Sequence, residues 1–591
     1  MYYTGGNLEA YAKPVVKSDT EGKNVYIIGS GLAGLAAACF LIRDAGFDGN
    51  RIRILEKNPI AGGACDGYEF ENIGFVARGM RHMDRHYECL WDLLRSIPSL
   101  KYAGASVLDE IVRLSKRDPN YAICRLTEKC GQDTHTDGSF DLSDSEFSAL
   151  ARFLMASDQN LGGKKISEVL PGDFFLTDFW LYIQTTFGFD TGHGAAALKR
   201  CLYRQLHRLD KIPHYRDSLC GRYNEYESII LPLIYYLEQN DVRFEYDIQV
   251  TNVAFDTALN RKTATRIDYR REGTEGCYDL TPDDFVFITP GGMTENSTMG
   301  SQTEPAPYHP DLIPGGGWDL WRKIAEQDPS FGRPDVFCSN SEQSNKMSAT
   351  LTTLDQRIIP YIKKICKRDT FSGKVVSGGL ITCRDSAWGL SWAVNRQPYF
   401  REQPEGSVVI WITALHSERQ GDFVMRPMRD CSGQEICEEW LYHIGAPTDD
   451  IEKMAAESAN TVPVMMPYYS SPLMPESSGD RPLVVPDGAV NFAFIGQFAD
   501  TPSDAAGTME YAVRTAMESV YILLDVDRGV PEVWNGFFDL RTLTEAVMVL
   551  RDGKPLTTLE LGYKDRRLKA KLLKKIHGTA LEKMMKEYKA L

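Results

Sequence analysis

Apolar runs alternate with glycine turns from residue 24 onward. Residues 24–39 read NVYIIGSGLAGLAAAC, in which an apolar run from Val25 to Ile28 enters a glycine-rich turn and then an alanine-rich stretch. This order predicts a buried strand, a tight turn and a helix. A second apolar run, RIRILEK, ends at Glu56 and predicts the next strand of the same sheet.

The glycine turn has the spacing of a dinucleotide-binding site. In GSGLAG (29–34), the first glycine permits the tight turn, the second lets a pyrophosphate approach the backbone, and the third lets helix and strand pack closely. A carboxylate at the end of the second strand can accept hydrogen bonds from a ribose hydroxyl. A second glycine turn, AGG (61–63), follows. The predicted cofactor contacts here are Gly29, Gly31, Ala33, Gly34, Glu56, Gly62 and Gly63.

Two later segments extend this site. DDFVFITPGG (283–292) predicts an apolar strand that leads into Thr289 and Gly291. Residues 489–523 predict a strand, Gly496, a polar loop, and a long amphipathic helix beginning near Thr508. This last segment resembles the flavin-contacting segment of flavoproteins with two dinucleotide-binding domains. Three separated pieces that close one domain favour FAD over NAD.

The expected fold is therefore α/β, with a discontinuous, Rossmann-like FAD-binding domain. The predicted pieces are 20–110, 240–300 and 480–525 for this domain, 111–239 and 301–479 for mixed helical and strand lobes facing the substrate, and 526–591 for a helical C-terminal region. Aromatic-rich runs such as DFFLTDFWLYIQTTFGF have apolar residues at helical spacing, which predicts core packing.

The last 29 residues differ from the rest in charge. Residues 563–591 contain eight Lys and two Arg against one Asp and two Glu, so their net charge is 10 − 3 = +7. Leu568, Leu572, Leu573 and Ile576 fall at helical spacing. Such a basic amphipathic helix either contacts an anionic membrane surface or packs on the protein body through its leucines.

Composition narrows the class of protein. The 591 residues carry a net charge of −15, which argues against nucleic acid as a partner. We find neither an apolar run near the roughly 18 residues of a membrane span nor a secretory signal. The thirteen cysteines form no C-x-x-C pair, so we expect reduced thiols, a cytoplasmic location and no metal site.

Specific motifs along the whole chain resemble one family. They are GNLEAYAKP, GSGLAGLAAA, GFVARGMRHM, WDLLRSIPS, YNEYES, SGGLITCRDSAWGLSWAVNRQP and EWLYHIG. The chain resembles the oleate hydratase family, once called myosin-cross-reactive antigens. The resemblance implies an FAD-dependent enzyme that adds water to a cis double bond of a free unsaturated fatty acid without net redox change. It also implies a homodimer with a C-terminal part able to associate with membrane.

The resemblance assigns catalytic roles to positions where this chain departs from the pattern. The family glutamate that activates water, in Arg-Gly-x-Arg-Glu-Met, is His82 here, and the tyrosine that protonates the alkene is Cys201. The family glutamine of Tyr-Asn-Gln-Tyr is Glu225. Tyr203 lies two residues from Cys201, where side chains of a helix face apart, so it is not expected to stand in. Asp84 lies two residues from His82 and is not expected to reach the same point. Arg78 and Arg81 are expected to contact polar groups near the flavin ring.

The residues that the resemblance assigns to the substrate carboxylate also differ from the family pattern. The family pattern Thr-x-Asn-x-x-x-His becomes Ala393 through Tyr399, with Asn395 retained. We expect Asn395, Arg396 and Tyr399 to bind the fatty acid carboxylate at the far end of a tunnel.

These replacements leave several reactions open. Histidine titrates near its ordinary pKa of about 6.5, and Glu225 should have a raised pKa if it is buried. An acid and a base that flank an allylic system favour double-bond isomerisation, with hydration as the alternative. The catalytic residues would be His82, Glu225 and Cys201. A flavin oxidoreductase and a non-catalytic lipid-binding flavoprotein are the further alternatives.

Overall fold

Five short strands form a fully parallel sheet, which confirms the predicted α/β class. The computed structural model describes residues 3–4, 8–12, 14–15, 19–133, 138–258, 260–560 and 563–591. In spatial order the parallel strands are Phe492–Phe494, Phe285–Ile288, Val25–Ile28, Ile52–Leu55 and Arg243–Glu245. All five fall within the pieces predicted for the FAD-binding domain, whose exact boundaries stay a prediction.

Helices cover this sheet and share its core. The helix Leu32–Arg43 directly follows the strand Val25–Ile28 in the sequence. It packs against the helix Met509–Leu523. Ala36, Ala37 and Ala38 are completely buried, and their small side chains let the helix backbone approach its neighbours closely. Glu88–Leu94 and Leu231–Gln239 complete the same core.

A three-stranded antiparallel sheet joins the parallel sheet at Asn491. Its strands are Ile248–Ala258, Arg261–Arg271 and Thr274–Asp279. The buried amide of Asn491 donates to the carbonyl oxygens of Ala264 and Asp284 and accepts from the backbone N–H of Ala264. Because buried polar groups are costly unless paired, these bonds fix the two sheets relative to each other.

An eight-stranded mixed sheet links the two predicted substrate lobes. Its strands, in spatial order, are Thr298–Met299, Ala459–Met466, Lys346–Thr353, Val409–Thr413, Ser391–Ala393, Ile381–Cys383, Leu126–Glu128 and Gln132–Asp133. Two strands from 111–239 therefore extend a sheet built mainly from 301–479. Two-stranded ladders pair Tyr68–Phe70 with Gly74–Val76 and Tyr3–Thr4 with Val530–Pro531.

The remaining helices surround these sheets. They are Val107–Arg117, Asp144–Met155, Asp158–Leu161, Asp178–Phe187, Ala195–Gln205, Gly317–Ala325, Asp335–Cys338, Ser341–Ser344, Ile359–Cys366, Gly433–His443, Thr448–Ser458, Leu540–Leu550, Tyr563–Ile576 and Ala580–Glu587. The aromatic run predicted to be core is buried at Phe174, Phe179, Trp180 and Tyr182.

The basic tail folds back on the segment before it. Lys569 Nζ donates to the carbonyl oxygen of Thr557, and the Leu556 N–H donates to that of Ala590. Leu572 remains half exposed, and the side chain of Leu568 lies outside the described part of the chain. None of the helices that the structure describes combines the length and apolar character that crossing a membrane requires.

Substitution of exposed lysines tests whether the charge of the tail binds an anionic membrane. Lys571, Lys574 and Lys575 are exposed, so changing all three to Gln should leave the fold intact. Each lysine near an anionic bilayer contributes about 1 kcal/mol, so binding to phosphatidylserine vesicles should weaken by roughly two orders of magnitude in a sedimentation assay. Unchanged binding would show that the tail only packs on the body. Vesicles of neutral lipid serve as the control.

Candidate active site

The carboxyl ends of the parallel strands border a cavity of about 650 Å³. The glycine turn forms one wall of it. Gly29 has a φ of +97°, and a Cβ on Gly34 would lie 2.1 Å from the Gly29 carbonyl oxygen. Gly31 and Gly63 face each other so closely that a Cβ on Gly63 would lie 3.0 Å from the Gly31 Cα. Gly29, Gly31 and Gly63 therefore form a cradle of bare backbone, as the close approach of a pyrophosphate requires.

Nearly all of the predicted cofactor residues line this cavity. Gly34 is the exception, because it lies behind the turn, where it lets the helix pack on the strand. The lining residues are Gly29, Gly31, Ala33, Glu56, Gly62, Gly63, Arg78, Arg81, Thr289, Gly291, Gly496 and Thr508. Their roles stay predictions, but the set fits a dinucleotide extended along the edge of the sheet.

Two charged residues that line this cavity make hydrogen bonds to neighbouring groups of the protein. Glu56 accepts from the backbone N–H and the hydroxyl of Ser30, at 2.9 and 2.6 Å, and from both nitrogens of Asn58 at 2.8 Å. Arg78 donates from Nε to Asp66 at 2.5 Å and from Nη2 to the Gly63 carbonyl oxygen. Both side chains therefore have fixed orientations toward the glycine turns.

A second cavity of about 20 Å³, room for about one water, lies beside the first. Arg81 lines both cavities. The smaller one is also lined by five residues predicted from the sequence: His82, Glu225, Asn395, Arg396 and Tyr399. This corrects the expected layout, because the predicted carboxylate-binding residues share a single small cavity with the predicted acid and base.

Glu225 is buried, with 8% of its surface exposed. Its Oε1 accepts from the Arg81 backbone N–H at 2.8 Å, and its Oε2 accepts from the Tyr399 hydroxyl at 3.2 Å. Burial raises the pKa of Glu225 against the opposing effects of Arg81 and these hydrogen bonds, which confirms the predicted direction. A π-helical turn, Tyr226–Ile230, begins directly after it.

His82 is neutral at neutral pH, which corrects the expectation of an ordinary imidazole. Burial, followed by the charges of Arg208 and Arg396, lowers the pKa of His82 to about 4. No hydrogen bond to either ring nitrogen is found among the described residues, and Nδ1 is buried. The ring lies against Tyr215, with 5.3 Å between centroids. The neutral ring is therefore a proton acceptor rather than a donor.

Two predicted carboxylate-binding residues already have protein partners. Arg396 donates from Nε to the Asp118 carboxylate at 2.8 Å, and its other nitrogens reach the Asp118 carbonyl oxygen and Cys220 Sγ. Tyr399 uses its hydroxyl on Glu225. Asn395 also lines the cavity, and no hydrogen bond of its side chain is found within the part of the chain that the structure describes. The sequence could not show the Arg396 pair, since Asp118 is 278 residues away.

Cys201 lies apart from both cavities. Its side chain is buried in the aromatic core of the helical lobe, where burial raises the pKa of its thiol to about 12. Tyr203 donates to the Leu154 carbonyl oxygen at 2.5 Å. Asp84 pairs with Arg208 at 2.6 Å and with His207 at 3.3 Å. Both side chains are thus paired with other groups of the protein, and that neither stands in for a replaced catalytic residue stays a prediction.

Sequence reasoning missed Arg222, which also lines the small cavity. It donates to the carbonyl oxygens of Gln397 and Pro398, and burial lowers the pKa of its guanidinium. Arg222 directly precedes the Tyr-Asn-Glu-Tyr motif, and this position was the sequence signal that could have identified it.

One group of residues in the described part of the chain has the arrangement of metal ligands. It consists of Asp422, Glu439 and His443. Glu439 accepts three backbone N–H groups from residues 422–424, and the His443 ring lies 3.2 Å from both carboxylates. These bonds give the group a structural role in holding the loop. All thirteen cysteines are free thiols.

The fold and site define an α/β protein with a dinucleotide cradle beside a small polar cavity. The model of the MCRA family matches residues 22–521, and the chain belongs to this family. Oleate hydratase of Streptococcus pyogenes serotype M49 (strain NZ131) is 44% identical over 591 residues, covering 99% of both chains. Linoleate hydratase of Lactiplantibacillus plantarum is 30% identical over 530 residues, 84% of this chain and 92% of that one.

Among solved structures, cyclohexylamine oxidase from Brevibacterium oxydans IH-35A aligns with 85% of this chain and 99% of its own, at a TM-score of 0.49 and 11% identity.

The close packing of the glycine turn predicts that one added methyl group weakens FAD binding. Gly34→Ala would place its Cβ against the Gly29 carbonyl oxygen, so the turn must open. Strain of about 1–3 kcal/mol should weaken FAD binding roughly 5- to 150-fold in a fluorescence titration. Gly172→Ala, where no atom lies within 4 Å of the added Cβ, is the control. Equal FAD affinity in both variants would exclude this cradle as the cofactor site.

Proposed function

We propose that this chain binds FAD and adds water across a carbon–carbon double bond of a long-chain unsaturated fatty acid. One observation carries the proposal: a water-sized cavity has the Glu225 carboxyl and the His82 imidazole in its wall. The hydratase names of the two relatives support the substrate class. The proposal includes a cytoplasmic homodimer whose basic tail contacts membrane.

The larger cavity would hold FAD. Its pyrophosphate would lie at Gly29–Gly31 and Gly63, with Glu56, Arg78 and Thr508 along its length. Bound FAD supplies one wall and an electrostatic field beside the substrate, without net electron transfer. Phe70, Val76 and Met299 give the same cavity an apolar wall for the acyl chain. The double bond would lie where the two cavities meet at Arg81, because the small cavity does not admit the chain itself.

Glu225 and His82 have complementary protonation states for hydration. The raised pKa of Glu225 favours its protonated form, and the lowered pKa of His82 favours the neutral ring. The Glu225 O–H bond breaks as a C–H bond forms on one alkene carbon. Water then bonds through oxygen to the other carbon and loses a proton to His82, which returns it to Glu225. Excluding all but one water suits this step, because protonating an unactivated alkene needs a dry site.

Isomerisation is the second candidate and uses the same acid. It requires His82 to remove a proton from an allylic carbon rather than from water. The cavity that fits one water favours hydration over this outcome.

Products formed in D₂O distinguish these reactions. FAD-loaded enzyme with oleate or linoleate should yield a product with one hydroxyl and one carbon-bound deuterium, read by mass spectrometry. Deuterium gained without a hydroxyl would establish isomerisation instead. Loss or gain of two hydrogens would establish redox chemistry, and binding without product would establish a lipid-binding protein.

The two protonation states predict a bell-shaped pH profile. The base is lost below the His82 pKa of about 4, and the acid is lost as pH rises through the raised pKa of Glu225. Glu225→Gln and His82→Ala should each lower kcat by about 10²–10⁴-fold with FAD still bound. Glu227→Gln, which changes a carboxyl outside the cavity, is the control. Full activity in both site variants would refute the assignment.

A further inference from the structure

Two helices begin at the wall of the larger cavity, and their first turns differ in charge. The helix Leu32–Arg43 begins after Gly31, and its first turn contains no acidic residue. The helix Gly317–Ala325 begins after Gly316, and its first turn contains Asp319. A helix N-terminus attracts an anion, but a carboxylate that already lies there repels a second one. The first helix therefore suits a pyrophosphate, and the second suits a group without negative charge.

Glu295 supplies a second carboxylate at the start of the helix Gly317–Ala325. Its Oε2 accepts from the backbone N–H of Trp318 at 3.3 Å. Gly316 leaves room for this side chain, because a Cβ on that glycine would lie 1.4 Å from Glu295 Oε1. The same side chain lines the larger cavity. One oxygen of the carboxylate thus caps the helix, and the other remains for a different contact.

The second oxygen, Oε1 of Glu295, is buried without a hydrogen bond. No donor to it is found among the residues that the structure describes. Asn296 also lines the cavity, and its buried Oδ1 has no donor in the described part of the chain either. Burial raises the pKa of Glu295 against the opposing effects of Lys57 and of backbone N–H groups. Because buried acceptors without donors are costly, this wall favours a ligand that donates hydrogen bonds.

This wall belongs to the same end of the cavity as Glu56. The carbonyl oxygen of Glu56 accepts from the backbone N–H of Ile248 at 2.9 Å. The next residue, Gln249, donates from its side chain to the Gly315 carbonyl oxygen at 2.6 Å. Gly315 directly precedes the glycine against which Glu295 Oε1 packs. Because Glu56 is the predicted ribose contact, the base attached to that ribose would lie on the side of Glu295.

We propose that Glu295 recognises the adenine of FAD by accepting a hydrogen bond from its exocyclic amine. This inference rests on FAD binding, which is one part of the proposed function. The amine is an uncharged donor, so the carboxylate attracts it, whereas a phosphate at the same place would be repelled. A base with a carbonyl oxygen in place of the amine, such as hypoxanthine, would bring one acceptor against another. The carboxylate therefore makes this end of the cavity specific for adenine and fixes the direction in which the dinucleotide lies.

The first test changes the ligand and leaves the protein unmodified. FAD and its hypoxanthine analogue are titrated into the full-length protein freed of flavin, and binding is followed by flavin fluorescence. The analogue should bind roughly 10- to 150-fold more weakly, the effect of one hydrogen bond to a charged group. Equal affinities for the two flavins would overturn the inference.

The second test assigns this specificity to one residue. The amide of Glu295→Gln keeps an oxygen for the Trp318 N–H, so the helix cap is retained, and it also offers a donor to a carbonyl oxygen. In this variant the preference for FAD over the hypoxanthine analogue should fall below about threefold. Asp319→Asn is the matched control, because Asp319 accepts from the Gly315 N–H at the start of the same helix without lining the cavity. The control should keep the full preference.

Other results would overturn the inference. A preference that survives in Glu295→Gln would assign the amine to another group. A preference lost in Asp319→Asn as well would trace it to the helix rather than to the Glu295 carboxylate. If FAD with 2′-deoxyadenosine binds more weakly than FAD only when Glu295 is present, and the hypoxanthine analogue does not, then the carboxylate binds the ribose.

Failure of the proposed function is distinguishable from failure of this inference. Absence of flavin binding to the unmodified protein would refute both. FAD that binds with the expected preference, but gives no product from oleate, would refute the proposed reaction and leave the role of Glu295 in place.

Discussion

The chemistry of this site depends on the cost of burying one carboxyl group. Glu225 lies in a cavity that holds about one water, so burial disfavours its ionised form and raises its pKa. The same burial acts in the opposite sense on His82, whose charged form is the protonated one. One physical effect thus raises the pKa of the carboxyl group and lowers the pKa of the imidazole in the same cavity wall.

Much of the fold and of the lining of the large cavity could be predicted because it is encoded locally. The run from Val25 to Gly34 determines a strand, a turn and a helix within ten residues. Thr289 and Gly496 are distant in sequence, but both follow parallel strands, whose carboxyl ends share one edge of a sheet. Periodicity and strand order were therefore sufficient to gather most of this cavity.

The small cavity was less predictable, because its properties depend on long-range packing. The sequence named six of its residues, yet it did not show that they line one cavity. The commitment of Arg396 to Asp118 and the loss of charge at His82 both follow from burial and from partners far along the chain. The isolation of Cys201 in a separate aromatic core has the same origin.

The central claim is that protons move while the electrons of the flavin stay in place. The most direct measurement follows the visible absorbance of FAD-loaded enzyme while hydroxylated product is counted. If only protons move, many product molecules form per flavin with no net change in the flavin spectrum. A flavin that changes redox state once for each molecule of fatty acid converted would contradict it.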